Sequence, residues 1–492
     1  MPDAAARLCV FLTALALTAC GAVEAAQTNL PKKSFERGEE PVEALIIRAQ
    51  EGDSAKAARL LDRALAREPR NPDVWVAIAR MRYRSGEQLS ALEAADHALD
   101  LGPRHAPALV LRGQFVRDAF GLIDALVWFE SALEADPHNP DALAEYAATL
   151  GDAGYNAEML AAARRLAEVA PENPRSLFLK SVLAARGGQP VLAKSLLERS
   201  GLAAEGIPSA MMLDALIDLN ERNYASASKT LEALVQKQPA NREAADLLAR
   251  AMWLGGRDAE LVARFVDAAS GKDASPYLLM LVGRAYERQG NRAAASDFLA
   301  RAYAGRQDGW VSFAPKTGLP EATVRVRKLI GQGRLRDAVR ETGRLHGRFP
   351  KSSDIAVLSG DAALAGDQPE RALELYRRAA RLRRSWPLTL KAVAAYRDLG
   401  DTMAADVLLA RHLRGEPQNA EALMANAQQA AQKGDWRRVE ALLDHAIKRG
   451  ASNNPRLLQL RADAARALAK DAEAGRFERR AWELDAAIPP RN

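Results

Sequence analysis

Few side chains in this sequence could perform chemistry. Its two cysteines, Cys9 and Cys20, both lie within the first twenty residues, so the body of the chain has neither a thiol nucleophile nor a disulfide framework. Six histidines are present, but the sequence contains no HExxH metal motif, no GxxxxGK[ST] phosphate loop and no GxSxG nucleophile elbow. The sequence therefore predicts no catalytic residue, no metal and no cofactor, and it argues against an enzyme.

One cysteine lies where acylation chemistry is expected. Cys20 follows an apolar run of twelve residues, Leu8 to Ala19, which is short for a bilayer span and suits the core of a signal peptide. Residues 17–20 read Leu-Thr-Ala-Cys, and this pattern resembles the lipobox of bacterial lipoproteins, in which the chain is cleaved before the cysteine and its thiol accepts a lipid. An ordinary secretory signal cut after Ala25 is the alternative.

The lipobox resemblance implies an exported, lipid-anchored protein. Residues 1–19 would be the signal peptide, Cys20 would carry the lipid, and residues 20–37, which contain Pro31 and no sustained helical period, would form a tether. Gly21, and not Asp, follows the cysteine. By analogy with enteric bacteria, this favours the outer membrane, with the protein facing the periplasm, over the inner membrane.

A 34-residue period dominates the rest of the chain. Pro69, Pro103, Pro137 and Pro171 are evenly spaced by that period, and each follows a helical pattern and precedes a short polar turn. Proline ends a helix there without losing a needed backbone donor. Small residues recur at fixed positions between these prolines, as at Ala79, and a turn glycine recurs, as at Gly86. The pattern predicts pairs of antiparallel helices that pack closely at the small positions.

One period, residues 72–105, reads PDVWVAIARMRYRSGEQLSALEAADHALDLGPRH and resembles the tetratricopeptide repeat closely. The resemblance implies an all-α fold, a right-handed superhelical solenoid of about thirteen helix-turn-helix repeats, over roughly residues 38–487. One step is longer than the others, and its extra residues 305–318 contain three glycines, a proline, Trp310 and Phe313. The expected division is an array over 38–304, an insert loop over 305–318, an array over 319–487 and a tail over 488–492.

This resemblance also directs attention to a groove lined by the first helix of each repeat, where tetratricopeptide proteins bind peptides. The position after the small residue of the first helix is expected to face that groove, and it is occupied by Arg80, Gln114, Arg250, Arg284 and Arg327. Arginine forks bind carboxylates and backbone carbonyls. Trp253, one turn after Ala249, either contacts a ligand or packs in the core. Arginines that only keep exposed helices soluble are the alternative for the whole row.

Charge is distributed unevenly along the chain. The overall net charge is only +6, and no block of five basic residues occurs, so nucleic-acid binding is not supported. Residues 38–171 carry 14 basic and 22 acidic residues, a net of −8, whereas residues 319–384 carry 15 and 8, a net of +7, including RRAARLRR at 377–384. This asymmetry favours either two different partners or simply solvated faces.

The sequence as a whole predicts a protein-binding scaffold of the bacterial cell envelope. Its partners would be other envelope proteins or peptide segments, with the membrane reached through the lipid on Cys20, and it would support pilus assembly, secretion or exopolysaccharide export. Two alternatives from other classes are a regulatory or substrate-binding subunit of an envelope enzyme and a glycan-binding solenoid. Aromatic residues make up only 5% of the chain, which argues against the glycan-binding alternative.

Overall fold

The computed structural model describes residues 40–51, 54–239, 241–271, 274–303, 321–448, 451 and 454–484, and these residues form 26 helices and no strand. The first sixteen are α1 Val42–Glu51, α2 Ser54–Arg67, α3 Pro72–Arg84, α4 Gln88–Leu101, α5 Ala106–Phe120, α6 Leu122–Ala135, α7 Pro140–Ala153, α8 Asn156–Val169, α9 Pro174–Arg186, α10 Pro190–Ser200, α11 Pro208–Asn220, α12 Tyr224–Lys237, α13 Arg242–Leu254, α14 Asp258–Ser270, α15 Pro276–Arg288 and α16 Arg292–Tyr303.

Ten helices follow the region of the expected insert. They are α17 Glu321–Gly331, α18 Leu335–Arg348, α19 Ser353–Ala365, α20 Pro369–Ala380, α21 Trp386–Asp398, α22 Thr402–Gly415, α23 Ala420–Gln432, α24 Trp436–Lys448, α25 Pro455–Ala467 and α26 Asp471–Leu484. Each odd-numbered helix packs against the even-numbered helix that follows it, so the described chain is a tandem series of thirteen helix pairs. The predicted all-α solenoid of about thirteen repeats is confirmed.

Local sequence explains where the helices begin and end. Asparagines at the ends of the closing turns cap the next helix, as at Asn139, whose side chain accepts a hydrogen bond from the Ala142 amide, and Pro140 occupies the first helical position. In the twelve pairs whose turn between the helices is described, that turn contains a residue with positive φ. Gly86, with φ 82°, is an example, and glycine adopts that conformation without steric cost.

The small positions are where the two helices of a pair touch. Ala79 and Ala91 are fully buried, and at Gly113 and Gly283 an added Cβ would lie 2.7 Å from the Phe129 ring and 2.8 Å from the Leu299 side chain. Real Cβ atoms essentially never come that close to another heavy atom. The sequence assigned these small residues to close helix contacts, and the packing agrees with that assignment.

The first helices lie on the inner side of the curved array. The first helices of neighbouring repeats pack on each other, for example α3 on α5, α5 on α7 and α13 on α15. The second helices of neighbouring repeats do not pack closely on each other in the described chain. A row of helices that touch each other must lie on the concave side, because the outer row is spread apart by the curvature. The groove of the array is therefore lined by α1, α3, α5 and their odd-numbered equivalents.

The stacking of helix pairs is interrupted once. Every helix from α1 to α26 packs closely on its successor except α16, which does not pack closely on α17. We call α1–α16 the N-terminal array and α17–α26 the C-terminal array. The predicted insert at 305–318, with Trp310 and Phe313, falls between them but lies outside the described residues.

The two arrays meet along a second surface, far apart in sequence, which we call the inter-array seam. Helix ends beside the turns within repeats of the N-terminal array (88–93, 118–124 and 153) contact helix ends and turns between repeats of the C-terminal array (351–354, 382–384 and 411–418). The Leu89 amide donates to the Lys351 carbonyl at 3.1 Å, and the Arg384 amide donates to the Asp118 carbonyl at 2.6 Å. Partners separated by 265 residues recur at both ends of the seam, which shows that the contact advances repeat by repeat.

The inter-array seam is tightly packed and charge-complementary. An added Cβ at Gly121 or Gly415 would approach backbone atoms of the opposite array closer than 3.0 Å. Lys351 pairs with Glu93 at 2.5 Å and Arg414 with Asp124 at 3.4 Å. Part of the acidic N-terminal half thus faces part of the basic C-terminal half within the same molecule.

Candidate protein-binding groove

The structure places all the predicted groove residues on first helices. Arg80 lies on α3 and Gln114 on α5, and these two helices pack together; Arg250 and Trp253 lie on α13 and Arg284 on α15, which also pack together; Arg327 lies on α17. All six side chains are partly buried. The row is therefore divided into two neighbouring pairs and one separate residue.

Arg250 and Arg284 form the better-defined part of the groove. The small residues that precede them, Ala249 and Gly283, hold α13 and α15 against their partner helices, and this places the two arginines on adjacent helices at equivalent positions. Arg284 pairs with Glu287 on its own helix at 2.6 Å, and both side chains are 38% exposed. An exposed ion pair of this kind contributes little to stability, so its guanidinium can exchange Glu287 for another carboxylate.

Tyr277 joins these arginines and was not singled out from the sequence. It lies in the first turn of α15, and 36% of the residue is exposed. Burial of the phenol raises its pKa, and the nearby positive charge of Arg250 opposes that shift. An exposed tyrosine beside arginine is typical of protein-binding surfaces. Its position gave no sequence signal, because tyrosine also serves as a core residue in such helices.

Trp253 belongs partly to the core. Its ring packs against the main hydrophobic cluster of the N-terminal array, and the guanidinium carbon of Arg288 lies 4.4 Å from the ring centroid. Arg288 also donates to the Trp253 carbonyl at 2.6 Å and pairs with Asp258 at 3.0 Å. The indole N–H is buried and meets no acceptor among the described residues. One face of the ring is thus occupied by Arg288.

Arg327 takes part in a different environment. Its charge acts on a buried group formed by Asp361 and Lys391, whose carboxylate and ammonium are 2.6 Å apart. The Tyr376 hydroxyl also donates to Asp361, at 2.9 Å. Burial raises the pKa of the Asp361 carboxyl, and the positive charge of Lys391 opposes this. Arg327 therefore serves an internal charge network of the C-terminal array and is not part of the Arg250–Arg284 surface.

A similar network occupies the first helices of the earlier repeats. Glu145 on α7 accepts from Arg117 on α5 at 2.8 Å and from Arg175 on α9 at 2.5 Å. Burial alone would raise the pKa of Glu145, but Arg175 and Arg117 lower it to about 2. The carboxylate thus stays ionised and holds three consecutive first helices together. Arg117 and Arg175 are 13% and 27% exposed in this network, whereas the Arg284 side chain is 38% exposed.

Two segments of the chain match a family model that describes the tetratricopeptide repeat, over residues 46–106 and 324–387. These segments fall in the N-terminal and C-terminal arrays respectively. These two segments are tetratricopeptide repeats, and the other helix pairs of the described residues have the same helix-turn-helix form. Arrays of this repeat are typically non-enzymatic scaffolds that bind proteins or peptides. A sequence comparison with curated proteins gives no significant match.

Several solved structures resemble the chain at low similarity. A tetratricopeptide repeat protein from Parabacteroides merdae is 16% identical and covers 58% of this chain and 96% of its own, with a TM-score of 0.28. PilW, a type IV pilus biogenesis factor, is 19% identical and covers 43% and 100%, with a TM-score of 0.33. PilF from Pseudomonas aeruginosa is 18% identical and covers 49% and 95%, with a TM-score of 0.31. Similarity at this level is limited to the helical repeat.

The described residues show neither a metal site nor a membrane-spanning helix. No group of three or more histidine, cysteine or carboxylate side chains in this part of the chain is arranged to hold a metal ion. None of the described helices is long and apolar enough to cross a membrane. Cys20 and the apolar run before it lie outside the described residues.

Proposed function

We propose that this protein, which contains tetratricopeptide repeats, is a non-enzymatic scaffold that binds a partner protein in the groove lined by α13 and α15. The observation that carries the proposal is the side-by-side position of Arg250 and Arg284 on packed first helices, with Tyr277 exposed next to them. The two guanidinium groups can bind carboxylates or the carbonyls of an extended peptide, and the tyrosine ring adds apolar contact. The partner is a protein segment that carries acidic side chains or exposed carbonyls.

We further propose that the scaffold is anchored in the bacterial cell envelope by a lipid on Cys20, at the outer membrane and facing the periplasm. The support for this is the Leu-Thr-Ala-Cys pattern at the end of the apolar run. A long solenoid tethered in this way suits the assembly of a pilus, a secretion system or an exopolysaccharide exporter. The length of the solenoid and its basic distal part favour secretion or exopolysaccharide export among these, although Leu382 and Arg384 of the basic stretch 377–384 take part in the inter-array seam.

The groove is tested by substitution once the natural partner has been captured by crosslinking in the envelope. Arg250→Ala, Arg284→Ala and the double variant are compared with wild type, after circular dichroism has shown that helical content is unchanged. Each contact that is shielded from water contributes about 1–3 kcal/mol, so the double variant should bind at least tenfold more weakly. A matched control is Arg437→Ala with Arg438→Ala, two exposed arginines of α24.

A loss of less than twofold in the double variant would show that Arg250 and Arg284 only keep the surface soluble. The enzyme-subunit alternative makes a different prediction. If the captured partner is an envelope enzyme and its turnover depends on this chain, the protein is a regulatory subunit and not an assembly scaffold.

The anchor is tested by labelling cells with a fatty-acid probe and comparing wild type with Cys20→Ala. We expect label on the wild type alone, and release of the variant from the membrane fraction, because its thiol is the proposed acylation site. Cys9→Ala is the control, since it removes the other cysteine and should leave the label unchanged. Equal labelling of wild type and Cys20→Ala would refute lipidation at this residue.

A further inference from the structure

The exposed face of α18 carries a row of arginines. Arg336, Arg340, Arg344 and Arg348 are four residues apart and all are exposed. Residues at this spacing lie on the same side of a helix, where like charges repel each other and destabilise it. The side chains of Arg340 and Arg344 are 66% and 73% exposed. The row by itself therefore disfavours α18, and the ion pairs that Arg340 and Arg344 form with Asp337 and Glu341 offset part of this repulsion.

Two glycines increase that cost. Gly343 and Gly347 lie within α18, also four residues apart, and both are exposed. Glycine inside a helix is less favourable than alanine. No neighbouring atom lies within 4 Å of the place where a Cβ would stand at either residue. Packing within the described chain therefore does not require glycine at these positions.

An open cleft runs between α18 and α17, with a volume of about 440 Å³. Its lining includes five cationic side chains, which are Arg325, Lys328, Arg334, Arg340 and Arg344. Two lining carboxylates oppose them, which leaves a surplus of 5 − 2 = 3 positive charges. Asp337 is shared by Arg334 and Arg340, and Glu341 by Arg325 and Arg344, so each carboxylate has two arginines. Glu321, outside the lining, also pairs with Arg325 at 2.8 Å.

Among the described residues no preceding helix pair covers this cleft, because the stacking of helix pairs stops there. In the other repeats the preceding pair packs on the next first helix, but α16 does not pack closely on α17. An uncovered end of a repeat array needs a polar surface to remain soluble. Mixed lysine and glutamate would satisfy that need and would add favourable pairs along the helix. A row of one sign with two glycines beside it does not follow from solubility.

We propose that α18 and the α17/α18 cleft, together called the arginine face, dock an acidic segment of a partner protein. Guanidinium groups hold carboxylates through paired hydrogen bonds, and an arriving acidic segment would neutralise the repulsion along the row. The exposed helix backbone at Gly343 and Gly347 lets that segment approach closely. The inference rests on the proposed role in protein binding, but the surface is separate from the groove at Arg250 and Arg284.

The test uses the purified full chain and a short fluorescein-labelled peptide of glutamate and alanine. Fluorescence anisotropy is measured for wild type, for Arg340→Gln with Arg344→Gln, and for the charge-matched control Arg437→Gln with Arg438→Gln. We expect the first variant to bind about tenfold more weakly and the control to stay within about twofold of wild type. A peptide with glutamine in place of glutamate should not bind, and added salt should weaken binding of the acidic peptide.

Competing ligands are measured in the same assay. Oligothymidylate of the same length and vesicles of phosphatidylcholine with phosphatidylglycerol test nucleic acid and anionic membrane. Tighter binding of either one, with the same sensitivity to the Arg340 and Arg344 changes, would assign the surface to that ligand and overturn the proposal. Equal weakening in the Arg437 and Arg438 control would show that only net charge matters, which would also overturn it.

The proposals for the groove and for the arginine face can be refuted independently. The acidic peptide could also bind Arg250 and Arg284 in the groove, so the Arg340→Gln and Arg344→Gln changes are measured as well in the Arg250→Ala, Arg284→Ala background, where they should still weaken peptide binding about tenfold. If the Arg250→Ala, Arg284→Ala variant alone loses the natural partner, the groove proposal stands by itself. If the Arg340 and Arg344 variant keeps the acidic peptide, the arginine face is refuted and the groove is unaffected.

Discussion

Replacement of Gly415 by alanine tests the inter-array seam, because it should destabilise the protein if the seam is present and stabilise it if the seam is absent. Gly415 is the last residue of α22, and its φ is not positive, so its backbone conformation does not itself require glycine. If the C-terminal array were free of the N-terminal array, the substitution would strengthen α22. At the seam, however, the new Cβ would lie closer than 3.0 Å to the Phe120 carbonyl oxygen and 3.1 Å from Gly121 Cα.

The magnitudes favour a net loss. Alanine in place of glycine gains up to about 1 kcal/mol of helix stability, and less at a helix end. Overpacking against neighbours costs about 1–3 kcal/mol, and here the neighbour is backbone, which cannot move aside like the tip of a side chain. Gly343→Ala is the matched control, since it lies in a helix with open space around it and should only gain. The two variants should therefore differ by about 1–3 kcal/mol, with Gly415→Ala the less stable.

The comparison is made by urea unfolding followed by circular dichroism, with hydrogen exchange to locate the effect. Repeat arrays do not unfold in a single step, so the midpoint of each transition is compared and no total free energy is derived. Gly415→Ala should speed exchange at the Arg384 amide, which donates across the seam. If Gly415→Ala stabilises the protein as much as Gly343→Ala does, the seam does not exist in solution.

Three further substitutions examine the core and the buried charges. Gly283→Leu would force a side chain into Leu299, already 2.8 Å from an added Cβ, and should cost about 1–3 kcal/mol; an unchanged thermal melt would disprove the assigned helix contact. Lys391→Met removes the cation paired with the buried Asp361 and should lower the free energy of unfolding by roughly 3–5 kcal/mol. Adding Asp361→Leu should restore most of that loss, as measured by urea unfolding. Burial, with Asp246 and Glu421 nearby, raises the pKa of Glu243 to about 7, so the folded state binds a proton that the unfolded state has released. The stability that this carboxyl contributes is fully present below its unfolded pKa and is lost as pH rises through about 7. The stability of Glu243→Gln relative to wild type should therefore increase by roughly 2–3 kcal/mol between pH 5 and 8. A stability difference that stays constant over this range would contradict the raised pKa of Glu243.

The helix pairs could be predicted from the sequence because their signals are local. A proline or asparagine at a closing turn, a glycine with positive φ and a small residue at a helix contact all act within one repeat of 34 residues. Pro140 and Gly154 show this at the start of α7 and just beyond its end. The same period placed Arg250 and Arg284 at equivalent positions. Their equivalence needed no knowledge of how the array curves.

The inter-array seam had no such signal. Its partners lie about 260–290 residues apart, and each is an ordinary residue of a turn or helix end when taken alone. Gln418 donates to the Ala153 carbonyl, and glutamine in a closing turn predicts nothing about a distant repeat. The charge asymmetry was visible, but net charge does not tell whether opposite charges meet within the chain or on a partner. For the same reason Arg327 was grouped with the groove although it faces Asp361 and Lys391.

The pairing of positions across the inter-array seam has a consequence for how such a chain can change in evolution. Tandem repeats are usually gained and lost one unit at a time, because each unit contacts only its neighbours. Here Ala153 must meet Gln418, and Gln88 must meet Ser353. Insertion or deletion of one unit between them would shift every partner by one repeat. The number of repeats between the two sides of the seam is thus fixed by geometry, whereas units can be added after α26 without that restriction.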